Sequence, residues 1–200
     1  MNNIFAAILA GGRSFRLGED KALLRFNDIY ILDYIYSQLT SLTTQIRIIG
    51  KPRAQVKIEP GLFVPDRITG LGPLGGLYTA LHLTSQPVLV VPCDMPFLNS
   101  AHIELLIKDF DASYDAIIAV SSKGLEPLLG IYNPEILSKL SGFIERKDYA
   151  LYKFINSLDT KYVDYSENAC NSHTFFNINT LSDYKKALYL KEKNQKYLDK

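Results

Sequence analysis

Two short runs of apolar residues, 4–9 and 87–91, contain no polar side chain. Continuous apolar runs of this length are typical of central strands that are covered on both faces of a sheet. Further strands are predicted over residues 45–50, 115–121, 128–132 and 161–165, and short strand pieces over residues 56–58 and 62–64.

Segments with helical spacing alternate with these strands. Ile31, Ile35, Leu39 and Leu42 recur at intervals of three or four, which predicts a helix over residues 29–42. Further helices are predicted over residues 74–84, 100–110, 134–140, 148–158 and 182–197, with Ser100 as the N-cap of the 100–110 helix. The alternation predicts an α/β fold with a mostly parallel sheet, in a single domain over residues 1–200.

The composition argues against several function classes. The chain has 22 basic and 21 acidic residues and a net charge of +1, which gives no general attraction for nucleic acid or an anionic membrane. Its two cysteines and three histidines show no zinc-ligand spacing. No segment has the roughly 20 apolar residues that cross a bilayer. We therefore expect a cytoplasmic protein without nucleic-acid or membrane partners.

The loop after the first strand, residues 9–21, reads LAGGRSFRLGEDK. Its glycines Gly11 and Gly12 allow consecutive backbone N–H groups to approach an anion, and Arg13, Arg16 and Lys21 add positive charge. This combination suits the phosphates of a nucleoside triphosphate. The loop is not a P-loop, because no hydroxyl residue follows Lys21, and it lacks the GxGxxG dinucleotide fingerprint. The alternative is a surface turn with scattered basic residues.

Two aspartates follow predicted strands, where ligands bind in open α/β sheets. Asp66 precedes a loop with four glycines, which could admit a planar base while the carboxylate accepts its hydrogen bonds. Asp94 is the first ionisable group after the apolar run at 87–91, and its carboxylate could hold Mg²⁺ together with triphosphate oxygens. Helix capping is the alternative for both. Cys93 is predicted to be a small buried residue rather than a nucleophile.

Asn177 and Asn179 alternate along a segment with the pattern of extended chain, so both side chains are expected to face one side. Amides both donate and accept hydrogen bonds, which suits a pterin or a phosphate, although capping of a strand end is the alternative. Glu126 precedes another predicted strand and is a further candidate for facing the acceptor.

These motifs together resemble those of the molybdenum cofactor guanylyltransferases. The family patterns LAGGxSxRMGxDKAL, PDxxxGxGPLGG, PCDxPF and FxNxNTPxD match this chain in order between residues 9 and 180, with PLxGIY at 127–132. Leu17 replaces the methionine of the first pattern, and Leu181 replaces the proline of the last. An asparagine that closes the second strand of the family and touches the nucleotide is absent, because this strand ends at Gly50.

The resemblance implies a Rossmann-like three-layer α/β/α fold of the nucleotide-diphospho-sugar transferase type. It implies a Mg²⁺-dependent transfer of GMP from GTP to the terminal phosphate of molybdopterin, with or without molybdenum, which yields molybdopterin guanine dinucleotide and pyrophosphate. Molybdenum cofactor carrier proteins and apo-molybdoenzymes are implied as possible partners. The implied catalytic residues are Arg16, Lys21 and Asp94; the nucleotide-binding residues are Leu9, Ala10, Gly11, Gly12, Lys21, Asp66 and Asp94; the acceptor-binding residues are Asn177 and Asn179; and the metal ligand is Asp94.

Other functions remain open at this point. A cytidylyltransferase for the same cofactor, or a sugar-phosphate nucleotidylyltransferase, would use the same chemistry, and the missing asparagine makes base recognition less certain than phosphate recognition. A non-catalytic carrier of the molybdenum cofactor would need the acceptor site but no triphosphate loop. A nicotinamide-dependent oxidoreductase is disfavoured, because the GxGxxG fingerprint is missing.

Overall fold

The computed structural model describes residues 4–11, 20–26, 28–165 and 173–198, with side chains up to residue 193. Its strands and helices, in chain order, are β1 (Phe5–Leu9), β2 (Arg25–Phe26), β3 (Ile29–Tyr30), α1 (Ile31–Thr40), β4 (Ile46–Ile49), β5 (Phe63–Val64), α2 (Pro73–Leu81), β6 (Val88–Pro92), α3 (Ser100–Lys108), β7 (Ala116–Ser121), β8 (Gly124–Tyr132), α4 (Leu137–Glu145), α5 (Leu151–Ile155), β9 (Thr160–Asp164) and α6 (Leu181–Leu198). Short 3₁₀ turns span Lys21–Leu23, Pro60–Leu62 and Pro134–Ile136.

A seven-stranded sheet in the order β5-β4-β1-β6-β8-β7-β9 forms the middle of the molecule. Its strand pairs are parallel except where β8 runs antiparallel to its neighbours β6 and β7. The prediction of a mostly parallel sheet is therefore confirmed. Because β5, β4, β1 and β6 are adjacent and parallel, their carboxyl ends meet at one edge of the sheet.

The sheet separates two hydrophobic clusters. Ala6 and Ile8 of β1 belong to one cluster, and Ala7 and Leu9 belong to the other, as expected of successive residues in a strand. Buried residues of α1, α3 and α6 complete the first cluster, and those of α2, α4 and α5 complete the second. This is the expected three-layer α/β/α arrangement. None of the described helices is both long and apolar enough to span a membrane.

The start of α3 differs from the sequence prediction. Asn99, not Ser100, is the N-cap, and its side-chain oxygen accepts a hydrogen bond of 3.1 Å from the backbone N–H of His102. The His102 Nδ1 in turn accepts from the Asn99 backbone N–H at 3.2 Å. Burial lowers the pKa of His102, which favours the neutral ring that this bond requires. Serine and asparagine cap helices about equally well, so local preference did not distinguish them.

Three other boundaries also differ. Residues 56–58 form no strand, although Val56 and Ile58 are buried. The Lys57 backbone N–H donates to a side chain, Asp33 Oδ1 at 2.9 Å, instead of to a neighbouring strand. Strand β8 begins at Gly124 rather than at residue 128, and helix α5 covers only Leu151–Ile155.

Gly130 of β8 is predicted to be essential for the centre of this sheet. A Cβ at Gly130 would lie 2.9 Å from the carbonyl oxygen of Ile117 and 3.3 Å from Cγ1 of Ile118. We expect Gly130→Ala to lower the free energy of unfolding by about 1–3 kcal/mol, the usual cost of overpacking. Gly61→Ala is the control, because nothing lies within 4 Å of its Cβ position. Urea unfolding measures both, and equal stability of the two variants would contradict the prediction.

Candidate nucleotide site

Backbone hydrogen bonds join the carboxyl ends of β1, β4 and β5. Ala10, which follows β1, donates its N–H to the Ile49 carbonyl of β4 at 3.0 Å, and Gly50 donates to the Val64 carbonyl of β5 at 2.8 Å. Gly50 has a φ of +149°, and a Cβ there would lie 3.1 Å from the carbonyl carbon and oxygen of Ala10. The position of the missing family asparagine therefore has no room for a side chain.

Asp66 lies against the glycine loop. A Cβ on Gly11 would lie 3.1 Å from Asp66 Oδ2, so only a glycine lets the main chain approach this carboxylate so closely. Burial raises the pKa of the Asp66 carboxyl above its ordinary value. Asp66 therefore lies beside the start of the glycine loop, a contact that the sequence did not predict.

The glycine-rich segment after Asp66 has two different structural roles. Gly70 and Gly72 have φ angles of +85° and +58°, which turn the chain into the start of α2. Gly76 lies inside α2, where a Cβ would be 3.2 Å from the side chain of Leu9. Gly76 is therefore explained by close packing of the helix on β1, whereas a Cβ on Gly75 would lie 3.1 Å from the Ile68 carbonyl oxygen of the preceding loop. Gly70 and Gly72 shape that loop at the sheet edge.

Lys21 joins the other functional groups. Its Nζ donates to Asp94 Oδ2 at 3.1 Å and to Asn179 Oδ1 at 2.6 Å. The Lys21 and Asp94 side chains are 21% and 20% exposed, so the pair is partly screened from solvent but open to a ligand. Residues from the first loop, from the end of β6 and from the segment before α6 thus meet at one point.

The segment before α6 is hydrogen-bonded to Asp94, the candidate metal ligand. The Ile178 backbone N–H donates to the Asp94 carbonyl at 2.9 Å. Ile178 is buried, whereas Asn177 beside it is partly buried and Asn179 is exposed. Asp183 Oδ2 accepts the backbone N–H groups of Asn179 and Thr180 at 3.0 and 2.8 Å, so the helix starts regularly at Leu181 without the family proline.

Glu126 lies at the same edge of the sheet. Because β8 is antiparallel to β6, its first residues lie beside the end of β6. Ser121 Oγ donates to Glu126 Oε1 at 2.8 Å. Burial raises the pKa of the Glu126 carboxyl, and the negative charge of Asp94 acts in the same direction, whereas the Ser121 hydrogen bond and Lys123 lower it.

Cys93 is confirmed as a buried residue without the properties of a nucleophile. Its thiol is shielded from solvent, and burial raises its pKa to about 12, with the charge of Asp94 adding to the effect. Arg53 and Lys21 lower this pKa, and Asp20 raises it, so the thiol lies among the charges of the site.

Arg53 is a part of the site that the sequence did not predict. Its Nη2 donates to the Ala10 carbonyl at 2.7 Å, and its Nε donates to Asp20 Oδ2 at 2.6 Å. The only local signal in the sequence is a basic residue shortly after a strand end, three positions beyond Gly50.

Two of the predicted binding residues, Gly12 and Arg16, lie outside the described residues, as does Arg13. Of the others, Leu9, Ala10, Gly11 and Asp66 lie around the ends of β1 and β5, and Lys21 contacts both Asp94 and Asn179. In the part of the chain that the structure describes, Asn177 makes no hydrogen bond to these residues. Over the described parts of the chain, no three histidine, cysteine, aspartate or glutamate residues come together as a metal cluster.

Comparisons with known proteins identify the family of the chain. Residues 6–161 match the sequence profile of the MobA-like NTP transferase domain. The chain is 30% identical over 176 residues to the molybdenum cofactor guanylyltransferase of Vibrio vulnificus, with 86% of this chain and 89% of the relative covered. It is 28% identical over 192 residues to a protein of Carboxydothermus hydrogenoformans named "Probable molybdenum cofactor guanylyltransferase", with 94% and 96% covered.

A solved structure shares the fold. Molybdopterin-guanine dinucleotide biosynthesis protein A from Archaeoglobus fulgidus superposes with a TM-score of 0.77 at 23% identity, over 94% of this chain and 98% of that chain. The nucleotidyltransferase-type fold expected from the sequence is thereby confirmed. The profile match covers more than half of the chain, and the alignment with the Vibrio vulnificus relative covers most of both proteins. The chain therefore belongs to the MobA-like NTP transferase family.

Proposed function

We propose that this nucleotidyltransferase transfers GMP from GTP to the terminal phosphate of molybdopterin, forming molybdopterin guanine dinucleotide and pyrophosphate. The observation that carries the proposal is the contact of Lys21 with both Asp94 and Asn179. It brings the candidate triphosphate, metal and acceptor groups to one point. The names of the relatives from Vibrio vulnificus and Carboxydothermus hydrogenoformans support the choice of guanine and of the molybdenum cofactor.

The reaction requires no general base on the protein. A phosphate monoester has a second pKa of about 6, so the acceptor phosphate is already mostly dianionic at neutral pH. Its oxygen attacks the α-phosphorus of GTP, a new P–O bond forms, and the bond to the β-phosphate oxygen breaks as pyrophosphate leaves. The protein has to hold two anions in line and to stabilise the charge that develops on the leaving group.

The first loop supplies the groups for the phosphates. Gly11 can present its backbone N–H without a side chain, and the Lys21 ammonium lies at the far end of the same loop. Arg16 is a further candidate from the sequence. When the triphosphate binds, its oxygens compete with Asp94 and Asn179 for the Lys21 ammonium, because charge-assisted hydrogen bonds to phosphate are strong.

Asp94 fits the requirements of a magnesium ligand. Its carboxylate is a hard oxygen donor at a strand end, and its side chain is one-fifth exposed. Its present partner, the Lys21 ammonium, can bind the triphosphate instead and so release the carboxylate for a cation. Mg²⁺ bound there would neutralise part of the charge on the leaving pyrophosphate. A single aspartate suits this ion, because Mg²⁺ usually binds one or two carboxylates together with phosphate oxygens and water.

Asp66 is proposed to seat the guanosine. Its carboxylate faces Gly11, next to the backbone that would carry the phosphates, and it can accept the N–H groups of the guanine edge. Asn177 and Asn179 are proposed to bind the acceptor. The cytoplasmic location and the transfer of product to carriers or apo-enzymes stay predictions from sequence.

A nucleotide panel tests the function. We expect pyrophosphate release only with GTP, Mg²⁺ and molybdopterin together, and little release with CTP, ATP or UTP. Preference for CTP would instead favour a cytidylyltransferase, for which the lack of a side chain at Gly50 would be the structural reason. Cofactor binding without any nucleotide turnover would favour a carrier.

Lys21→Ala is expected to lower kcat about 100-fold, the scale of one lost electrostatic group, while the Kd for GTP rises less than about 10-fold. The physical reason is that its charge matters most as pyrophosphate departs. Lys139→Ala is the matched control, because Lys139 forms a similar 3.2 Å ion pair with Asp115 before the start of β7, at the opposite edge of the sheet. Equal losses in kcat and GTP affinity would make Lys21 a ground-state contact only.

Asp94→Asn is expected to leave the melting temperature unchanged and to lower activity by at least about 100-fold. Asparagine keeps the size and can still accept the Lys21 hydrogen bond, but it is a poorer ligand for a hard cation. Activity is measured over a Mg²⁺ titration, where high concentrations should restore part of the loss. Asp115→Asn is the control. Near-normal activity of Asp94→Asn at ordinary Mg²⁺ would remove the metal role of Asp94 and leave Asp66 as the next candidate.

A further inference from the structure

Arg53 contacts both ends of the glycine loop. Its Nη2 donates to the Ala10 carbonyl at 2.7 Å, where the loop begins. Its Nε donates to Asp20 Oδ2 at 2.6 Å, and its Nη2 also donates to Asp20 Oδ1 at 3.3 Å, where the loop ends. The Nη1 donates to the Lys51 carbonyl at 2.9 Å, which fixes the guanidinium to its own loop after β4.

Asp20 connects Arg53 to the 3₁₀ turn that begins with Lys21. Its Oδ1 accepts the Ala22 backbone N–H at 3.0 Å and so caps the 3₁₀ turn Lys21–Leu23. The carboxylate is thus held on one side by Arg53 and on the other side by the turn that begins with Lys21. Movement of Asp20 would therefore displace the residue whose ammonium reaches Asp94 and Asn179.

The contacts of Arg53 distinguish it from a direct phosphate ligand. A guanidinium has five N–H groups, and hydrogen bonds to Ala10, Asp20 and Lys51 occupy four of them. The Arg53 side chain is 11% exposed, against 39% for Asp20. Its charge is compensated by the Asp20 carboxylate at short distance, so it contributes little net field to a neighbouring anion.

We propose that Arg53 is a positioning residue, which holds Ala10 and Asp20 at a fixed separation and thereby positions Lys21 for a triphosphate. This proposal rests on the proposed function, because it assumes that the loop binds GTP. Because Arg53 already holds Ala10 and Asp20 in place, the ordering of these two positions does not have to accompany nucleotide binding.

Arginine is required by this geometry. The guanidinium is a planar fork that can serve a carbonyl and a carboxylate together, whereas a lysine ammonium is a compact point charge on a flexible stem. We therefore expect Arg53→Lys to keep the charge but to restore only part of the function. Gln at position 53 would remove the charge and most of the donors.

The experiment measures KM and kcat for GTP in wild type, Arg53→Gln, Arg53→Lys, Asp20→Asn and the Arg53→Gln/Asp20→Asn double variant. Asp20→Asn weakens the ion pair but keeps the cap of the 3₁₀ turn, because asparagine caps as well as aspartate. Arg47→Gln is the matched control: Arg47 lies in β4, its Nη1 donates to the Ile46 carbonyl at 2.8 Å, and it makes no described contact with the loop.

We expect Arg53→Gln to raise KM for GTP about 10-fold, the scale of a lost hydrogen bond to a charged group, with a smaller effect on kcat. Arg53→Lys should lie between wild type and Arg53→Gln. The double variant should be no worse than the poorer single variant, because Arg53 acts through Asp20. Arg47→Gln should leave KM at the wild-type value.

Several results would overturn the proposal. Additive losses in the double variant would mean that Arg53 touches the nucleotide itself. A lowered melting temperature with unchanged KM would assign Arg53 a purely structural role. If Arg53→Gln does not fold, KM for GTP of Arg53→Lys and Asp20→Asn is compared with that of wild type instead. Wild-type protein that does not bind GTP would contradict the proposed function, whereas wild-type binding with unaffected variants would contradict only the role of Arg53.

Discussion

The ammonium group of Lys21 is the interaction on which the site depends. It lies between Asp94 and Asn179, residues that are 73 and 158 positions away in the chain. One cation thus connects the loop after β1, the end of β6 and the segment before α6. A triphosphate can replace Asp94 and Asn179 as the partner of this ammonium, because it carries more negative charge than the two side chains together.

The sheet topology makes this meeting possible. Because β5, β4, β1 and β6 are adjacent and parallel, their loops emerge at one edge, and the antiparallel β8 adds Glu126 to the same edge. The hydrogen bond from the Ile178 N–H to the Asp94 carbonyl then fastens the last part of the site to the sheet. The candidate acceptor segment and the candidate metal ligand are therefore joined directly through the backbone.

Much of this fold could be predicted, because strands that are covered on both faces have continuous apolar sequences, as in β1 and β6. The failures have local causes. Val56 and Ile58 alternate with an exposed residue as in a strand, yet they pack without strand partners. At the site, Lys21, Asp94 and Asn179 were identifiable because each belongs to a compact motif. Arg53 was not, because its partners Asp20 and Ala10 lie 33 and 43 positions earlier and form no local pattern with it.

The crowding at Gly50 restricts how this protein could evolve. An asparagine there would need a backbone conformation that side-chain-bearing residues rarely adopt, and its Cβ would press on the Ala10 carbonyl at 3.1 Å. The Arg53 guanidinium is hydrogen-bonded to that same carbonyl. Introducing a side chain at position 50 would therefore disturb both the β1–β4 spacing and the Arg53 contact at once.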